Sequence, residues 1–156
     1  MGIKRTAWAE ELKKLTKVGM DSSVLIYHLE GLAPYADLTE TLFAAVLDGS
    51  MRAILSTISI TELLVRPFAK DQLDRITAFE RFLFSLPNTD LVPPSYSISK
   101  EAARLRAKYR IRTPDAILLA TSLIEKAEPF LTNDARLGMI KEEKLDILVF
   151  DDFIDP

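Results

Sequence analysis

The stretch Lys17-Val18-Gly19-Met20-Asp21-Ser22-Ser23-Val24-Leu25-Ile26-Tyr27 passes from an extended segment into a helix, with an acid at the junction. Lys17 to Met20 has the length and apolar content of a short strand. From Ser23 to Leu29 the pattern is helical, and Gly31 and Pro34 stop it. Asp21 therefore stands at a strand's carboxyl end. In open parallel sheets that edge is where ligands bind.

The same alternation continues on both sides. Strands are expected over 53–56, 89–92, 130–131 and 146–150. Helices are expected over 37–47, 60–65, 73–86, 99–109 and 114–126, with Gly49 ending the first and Pro67 disturbing the end of the second. Ile76, Phe79, Phe82 and Leu83 give the 73–86 segment a strong apolar stripe. Strands alternating with helices predict an α/β fold, a parallel sheet of four to five strands flanked by helices on both faces in a Rossmann-like three-layer sandwich. The 156 residues suit one domain, 1–156. Within it, residues 1–16 form an N-terminal helical extension, whose Trp8, Leu12 and Leu15 would pack on the body.

Three further acids occupy comparable places. Glu62 is the only acid in the apolar run Ser56 to Leu64, after the second strand. Asp115 opens the apolar helix that follows Thr113-Pro114. Asp134 follows the strand ending near Leu131-Thr132. Each has a structural explanation. Asp21 and Asp134 can cap helices, Ser59 and Glu62 match a capping box, and Asp115 suits the first turn of a helix that Thr113 would cap. Together the four would gather at one edge of a parallel sheet. Clustered carboxylates raise one another's pKa, so such a group calls for a cation. Their oxygens suit Mg²⁺ or Mn²⁺.

Composition narrows the alternatives. There is no cysteine, which excludes thiolate zinc sites, thiol catalysis and disulfides. With five glycines there is no G-x-G-x-x-G and no phosphate-binding G-x-x-x-x-G-K loop. No apolar run reaches the roughly 18 residues of a membrane span, and the first residues lack a signal peptide's apolar stretch, so the expected location is the cytoplasm. The net charge of −3 says little if acids cluster at a metal site and bases line its approach. Between residues 100 and 112 six basic residues, among them Arg104, Arg106, Lys108, Arg110 and Arg112, oppose one acid, Glu101. That run is either a solvated helix face or a phosphate-binding approach to Asp115, with Tyr96 and Tyr109 as stacking candidates. The lone histidine, His28, sits among apolar neighbours and reads as structural.

Four motifs in order then resemble one family. Asp21-Ser22-Ser23-Val24-Leu25-Ile26-Tyr27, Ser59-Ile60-Thr61-Glu62-Leu63-Leu64, Pro114-Asp115-Ala116-Ile117-Leu118-Leu119-Ala120-Thr121 and Leu131-Thr132-Asn133-Asp134 resemble the motifs of PIN domains, especially VapC-type toxins. The resemblance covers about residues 17 to 154. It implies a Mg²⁺- or Mn²⁺-dependent ribonuclease with Asp21, Glu62, Asp115 and Asp134 as metal ligands and catalytic acids. Ser22, Thr132 and Asn133 would support them. Two departures stand out: Ser22 replaces the usual threonine, and Ala135-Arg136-Leu137 replaces an acid followed by an aromatic. The implied activity is endonucleolytic cleavage of single-stranded RNA by metal-activated water. The implied partners are an antitoxin protein and a second copy in a homodimer. Two other readings compete: a noncatalytic PIN-like module that binds RNA or protein, and a receiver-like or phosphatase-like domain. The second lacks the expected lysine after a late strand.

Overall fold

The computed structural model describes residues 2–141 and 143–156. Its five strands are β1 (Lys17–Met20), β2 (Arg52–Ser56), β3 (Thr89–Val92), β4 (Pro129–Thr132) and β5 (Asp146–Val149). All pair in parallel, in the order β3-β2-β1-β4-β5. The helices among the described residues are α1 (Arg5–Lys13), α2 (Ser22–Glu30), α3 (Tyr35–Asp48), α4 (Ile58–Ala69), α5 (Leu73–Ser85), α6 (Tyr96–Tyr109) and α7 (Thr113–Ile124). None is long and apolar enough to cross a membrane.

Side chains leave the sheet alternately, as a pleated strand requires. Val18, Met20, Ala53, Leu55 and Leu131 enter one core beneath α1 to α5. Phe130, Ile147 and Val149 enter the other, beneath α6 and α7. Helices therefore cover both faces, and the sheet has the expected α/β architecture. The chain works outward from β1 to β2 and β3, then returns to β4 on β1's other side. The order reverses between β1 and β4, which opens a crevice at their carboxyl ends. The Asp21 amide donates to the Leu131 carbonyl at 3.0 Å, so β1 and β4 are stitched together up to the first acid.

One glycine sets how closely α7 approaches that crevice. A Cβ on Gly19 would lie 1.9 Å from Ser122 Oγ and 2.7 Å from Ser122 Cβ. Only a residue without a side chain lets α7 lie against β1. As the apolar sequence predicts, α7 is buried along most of its length, and its first turn carries Asp115 to the sheet edge.

Several helix starts differ from expectation. The Ser59–Glu62 capping box does not form. Helix α4 begins at Ile58, whose amide is met by Ser56 Oγ at 3.2 Å, and Ser59 lies inside the helix with its hydroxyl buried and unpartnered. Thr113 is the first residue of α7 rather than its cap; Arg112 holds the cap position without a side-chain bond. Pro67 does not end α4, which runs to Ala69. Its ring is on the buried side, and its carbonyl accepts the amides of Lys70 and Gln72 that close the helix. Helix α1 packs into the core through Trp8 and Leu12. The chain's two ends meet beside it in an antiparallel bridge between Ile3 and Ile154.

Candidate active site

The β1–β4 crevice opens into a cleft of about 420 Å³. Asp21, Glu62, Asp115 and Asp134 all line it, with Ser22, Tyr27 and Asn133. Asp21 reaches it from the end of β1, Glu62 from the second turn of α4, Asp115 from the first turn of α7, and Asp134 from the bend after β4.

Asp21 does cap α2: the Ser23 amide donates to its Oδ1 at 2.5 Å. Its Oδ2 accepts from Thr132 Oγ1, also at 2.5 Å. Thr132 Oγ1 in turn accepts the Asp134 amide at 3.0 Å, so one hydroxyl ties the first acid to the fourth motif. Burial raises the pKa of Asp21 against the opposing effect of these bonds, and the charge of Asp115 raises it further. Ser22 Oγ donates to Glu62 Oε2 at 2.8 Å. Glu62 Oε1 is buried with no hydrogen-bond partner.

The other two acids are paired with arginines. Arg112 Nε donates to Asp115 Oδ2 at 3.0 Å. Arg136 Nη2 donates to Asp134 Oδ2 at 2.6 Å, and this guanidinium holds the Asp134 carboxyl below the usual carboxylate range. Among the described residues no three acids or histidines converge tightly enough to hold a metal ion as they stand. The donor set nevertheless suits a hard cation, being all carboxylate and hydroxyl oxygen, and Glu62, which lines the same cleft, has a buried oxygen, Oε1, without a partner. An unsatisfied buried oxygen costs free energy that a cation would recover.

Asn133 sits one position from the metal-type acids and does a bridging job. Its Nδ2 donates to Tyr27 Oη at 3.1 Å, and its Oδ1 accepts the Asp151 amide at 2.9 Å. Tyr27 stacks on Tyr35, with ring centroids 4.4 Å apart, and Tyr35 Oη donates to Asp151. His28 lies away from the acids, against Phe43 and Phe82, where burial lowers its pKa.

A second hollow of about 340 Å³ adjoins the cleft, sharing Arg112, Asp115 and Asp134 and adding Tyr109, Arg110 and Arg136. Of the five basic residues expected to meet RNA, Arg110 and Arg112 line these spaces. Arg104 is held by Glu101 and Glu143, Lys108 reaches Glu143 at 3.3 Å, and Arg106 Nε donates to the Ile111 carbonyl. Tyr109 Oη also donates to Glu143, while Tyr96 is exposed at the far end of α6. Sequence reasoning does not single out Tyr27 of the cleft, which lies inside the first motif, or Arg136 of the hollow, whose spacing from Asp134 is its only signal.

Glu143 accepts from three side chains and is mostly buried. The bond from Arg104 is the chief reason its carboxyl falls to about 2 from an ordinary 4.5. A depressed folded-state pKa stabilises the fold above the unfolded value and ceases to do so as pH falls toward the folded one. Glu143→Gln is therefore expected to cost about 1 kcal/mol at neutral pH, the scale of a partly exposed ion-pair network. Urea unfolding at several pH values checks this. The wild-type advantage should be full above pH 5 and gone near pH 2; no difference at pH 7 would refute it.

The PIN-domain profile matches residues 20–143, four-fifths of the chain and all four motifs. The chain belongs to the PIN-domain family. Solved structures agree in fold. VapBC2 of Rickettsia felis bound to a DNA fragment of its promoter aligns with a TM-score of 0.67 at 17% identity, covering 87% of this chain and 100% of that one. A toxin–antitoxin complex from Klebsiella pneumoniae gives 0.62 at 20% identity, covering 83% and 95%. DNA-bound VapBC of Salmonella typhimurium gives 0.62 at 12% identity, covering 87% and 98%. No curated protein matches the chain by sequence. In this PIN domain the matched residues begin at Met20, the last residue of β1.

Proposed function

We propose that this PIN domain is a Mg²⁺- or Mn²⁺-dependent endoribonuclease that cuts single-stranded RNA, and that it acts as the toxin of a toxin–antitoxin pair. What supports the reading is one observation: four carboxylates from four separate elements line a single cleft at the carboxyl ends of β1 and β4. Asp21, Glu62, Asp115 and Asp134 would hold the ion, with Ser22 and Thr132 orienting Glu62 and Asp21 through the bonds described. A divalent ion there supplies Lewis acidity, making water a nucleophile at neutral pH and offsetting charge on the phosphate. The chain's own groups do the rest. The hydroxyl bonds keep the acids in fixed orientations, Arg110 and Arg112 offer positive charge to the RNA backbone, and the half-buried Tyr27 forms part of the cleft wall beside the substrate. Antitoxin partnership and a homodimer are carried over from the family resemblance and from the toxin–antitoxin complexes that share the fold.

EDTA is expected to abolish cleavage of a single-stranded RNA, and Mn²⁺ or Mg²⁺ to restore it. Cleavage indifferent to EDTA, or absent with both ions once any bound antitoxin has been removed, would sink the proposal. The arginine pairs on Asp115 and Asp134 favour a second reading, a noncatalytic RNA- or protein-binding module. Such a module would show no Mn²⁺ binding that depends on Asp21 or Asp115.

A further inference from the structure

Two arginines occupy carboxylates that a cation would need. Arg112 Nε lies 3.0 Å from Asp115 Oδ2, with Nη2 3.4 Å from Oδ1. Arg136 forks onto Asp134, with Nε 3.0 Å from Oδ1 and Nη2 2.6 Å from Oδ2. In each pair the acid is the fixed partner and the arginine the loose one. The Asp115 and Asp134 side chains are 11% and 24% exposed, whereas those of Arg112 and Arg136 are 67% and 74% exposed. Arg112 lines both the acidic cleft and the adjoining hollow, and Arg136 lines the hollow beside Asp134, which lines both.

The geometry points to a counter-ion exchange, resting on the metal-site reading above: Arg112 and Arg136 neutralise Asp115 and Asp134 in the metal-free protein, give way to a divalent cation, and then grip the phosphate of the bound nucleic acid. Grouped acids repel one another, and the guanidiniums relieve that repulsion before metal arrives. An arginine–carboxylate pair open to water is weak, so a divalent ion can displace it. The released guanidinium has a planar fork that fits phosphate as well as it fits carboxylate, and it emerges at the cleft where phosphate must lie. The same pairs account for why the acids do not converge: two of the four are drawn toward arginines at the cleft mouth.

The exchange makes the two affinities move in opposite directions. Arg112→Gln and Arg136→Gln are each expected to bind Mn²⁺ about three- to tenfold more tightly in calorimetric titration, because one competitor is gone. Titrated into the Mn²⁺-loaded protein, adenosine 5′-monophosphate should bind each variant about five- to tenfold more weakly than wild type. The comparison variant is Lys141→Gln: Lys141 is exposed, follows Ile140 of the hollow's lining and makes no bond to either acid, so the Mn²⁺ affinity of Lys141→Gln should match wild type. Unchanged or weaker Mn²⁺ binding in both variants would overturn the exchange, as would a gain of the same size in Lys141→Gln, since mere proximity of charge would then suffice. Tighter Mn²⁺ binding with unaltered adenosine monophosphate affinity would overturn the phosphate role. Failure of wild type and variants alike to bind Mn²⁺ would overturn the exchange together with the metal site. Mn²⁺ binding without RNA cleavage by wild type would overturn only the nuclease reading.

Discussion

Asp21→Asn and Asp115→Asn are each expected to lower RNA cleavage at least a hundredfold while leaving the protein folded. Each change removes one negative charge from the proposed metal site and alters few contacts. Asparagine caps helices as well as aspartate does, so the bond from the Ser23 amide that starts α2 can persist. A loss of two or more decades corresponds to roughly 3 kcal/mol of transition-state stabilisation, the scale measured for single electrostatic groups in active sites. The Asp21 variant carries a second signature. Burial and the nearby Asp115 raise the pKa of Asp21, so its ionised form burdens the metal-free fold. For a group raised in this way, the stabilising contribution is present below the unfolded pKa and lost as pH rises through the folded one. At neutral pH that burden is in force, and Asp21→Asn should relieve it. The variant should melt at the same temperature as wild type or higher without metal, and should lose the stabilisation that Mn²⁺ gives wild type. Cleavage assays beside thermal melts with and without Mn²⁺ test both parts. Persistent cleavage in both variants would rule out the proposed chemistry, whereas an inactive variant that has also unfolded would refute the claim that the acid is replaceable structurally.

Trp8→Ala is expected to produce the largest loss of stability from one substitution, about 3–5 kcal/mol. Trp8 is 1% exposed although it belongs to the first helix. Its ring meets Phe150 and Phe153 edge-on at 5.5 and 4.9 Å, and its Nε1 donates to the Leu38 carbonyl at 3.0 Å. Alanine would open a cavity between α1, α3 and the C-terminal turn and remove the indole's bond to the Leu38 carbonyl. Against a total stability of about 5–15 kcal/mol, the loss is large enough to unfold much of the population on mild warming. Trp8→Phe keeps most of the volume and should cost about half as much. Urea unfolding of the three proteins decides the matter. A loss below 1 kcal/mol for alanine would mean that α1 is an appendage rather than part of the core.

Much of the architecture was legible because it rests on local chemistry. β1 and β3 fall on the residues expected, 17–20 and 89–92; β3 is bracketed by Pro87-Asn88 and Pro93-Pro94, which leave the residues between them an extended path. Helix α7 was readable as buried from its nearly continuous apolar sequence. The acids could be assigned to the sheet's carboxyl edge because each follows a strand or opens a helix. Helix starts were less legible. Ser59 and Thr113 look like caps in one dimension, but Ser59 is the second residue of α4 and Thr113 the first of α7. The end of β2 delivers the Ser56 hydroxyl to Ile58, and the turn after Arg110 brings Arg112 to the cap of α7.

Sequence alone determined the alternation of strands and helices, the apolar stripe of the 73–86 helix, and four acids in the order of one family, because helical and strand periods act within a few residues. Tertiary structure decided which strands adjoin, that Gly19 admits α7, and how charges across the site are partnered. Arg104, Lys108 and Tyr109 meet a glutamate 34 to 39 positions away, and Asp21 shares a hydroxyl with a strand 111 residues later. The physical reason is range. A backbone's conformational preference is set by its neighbours in the chain, whereas the partner of a charge is whatever the packed core brings within about 3 Å after water has left.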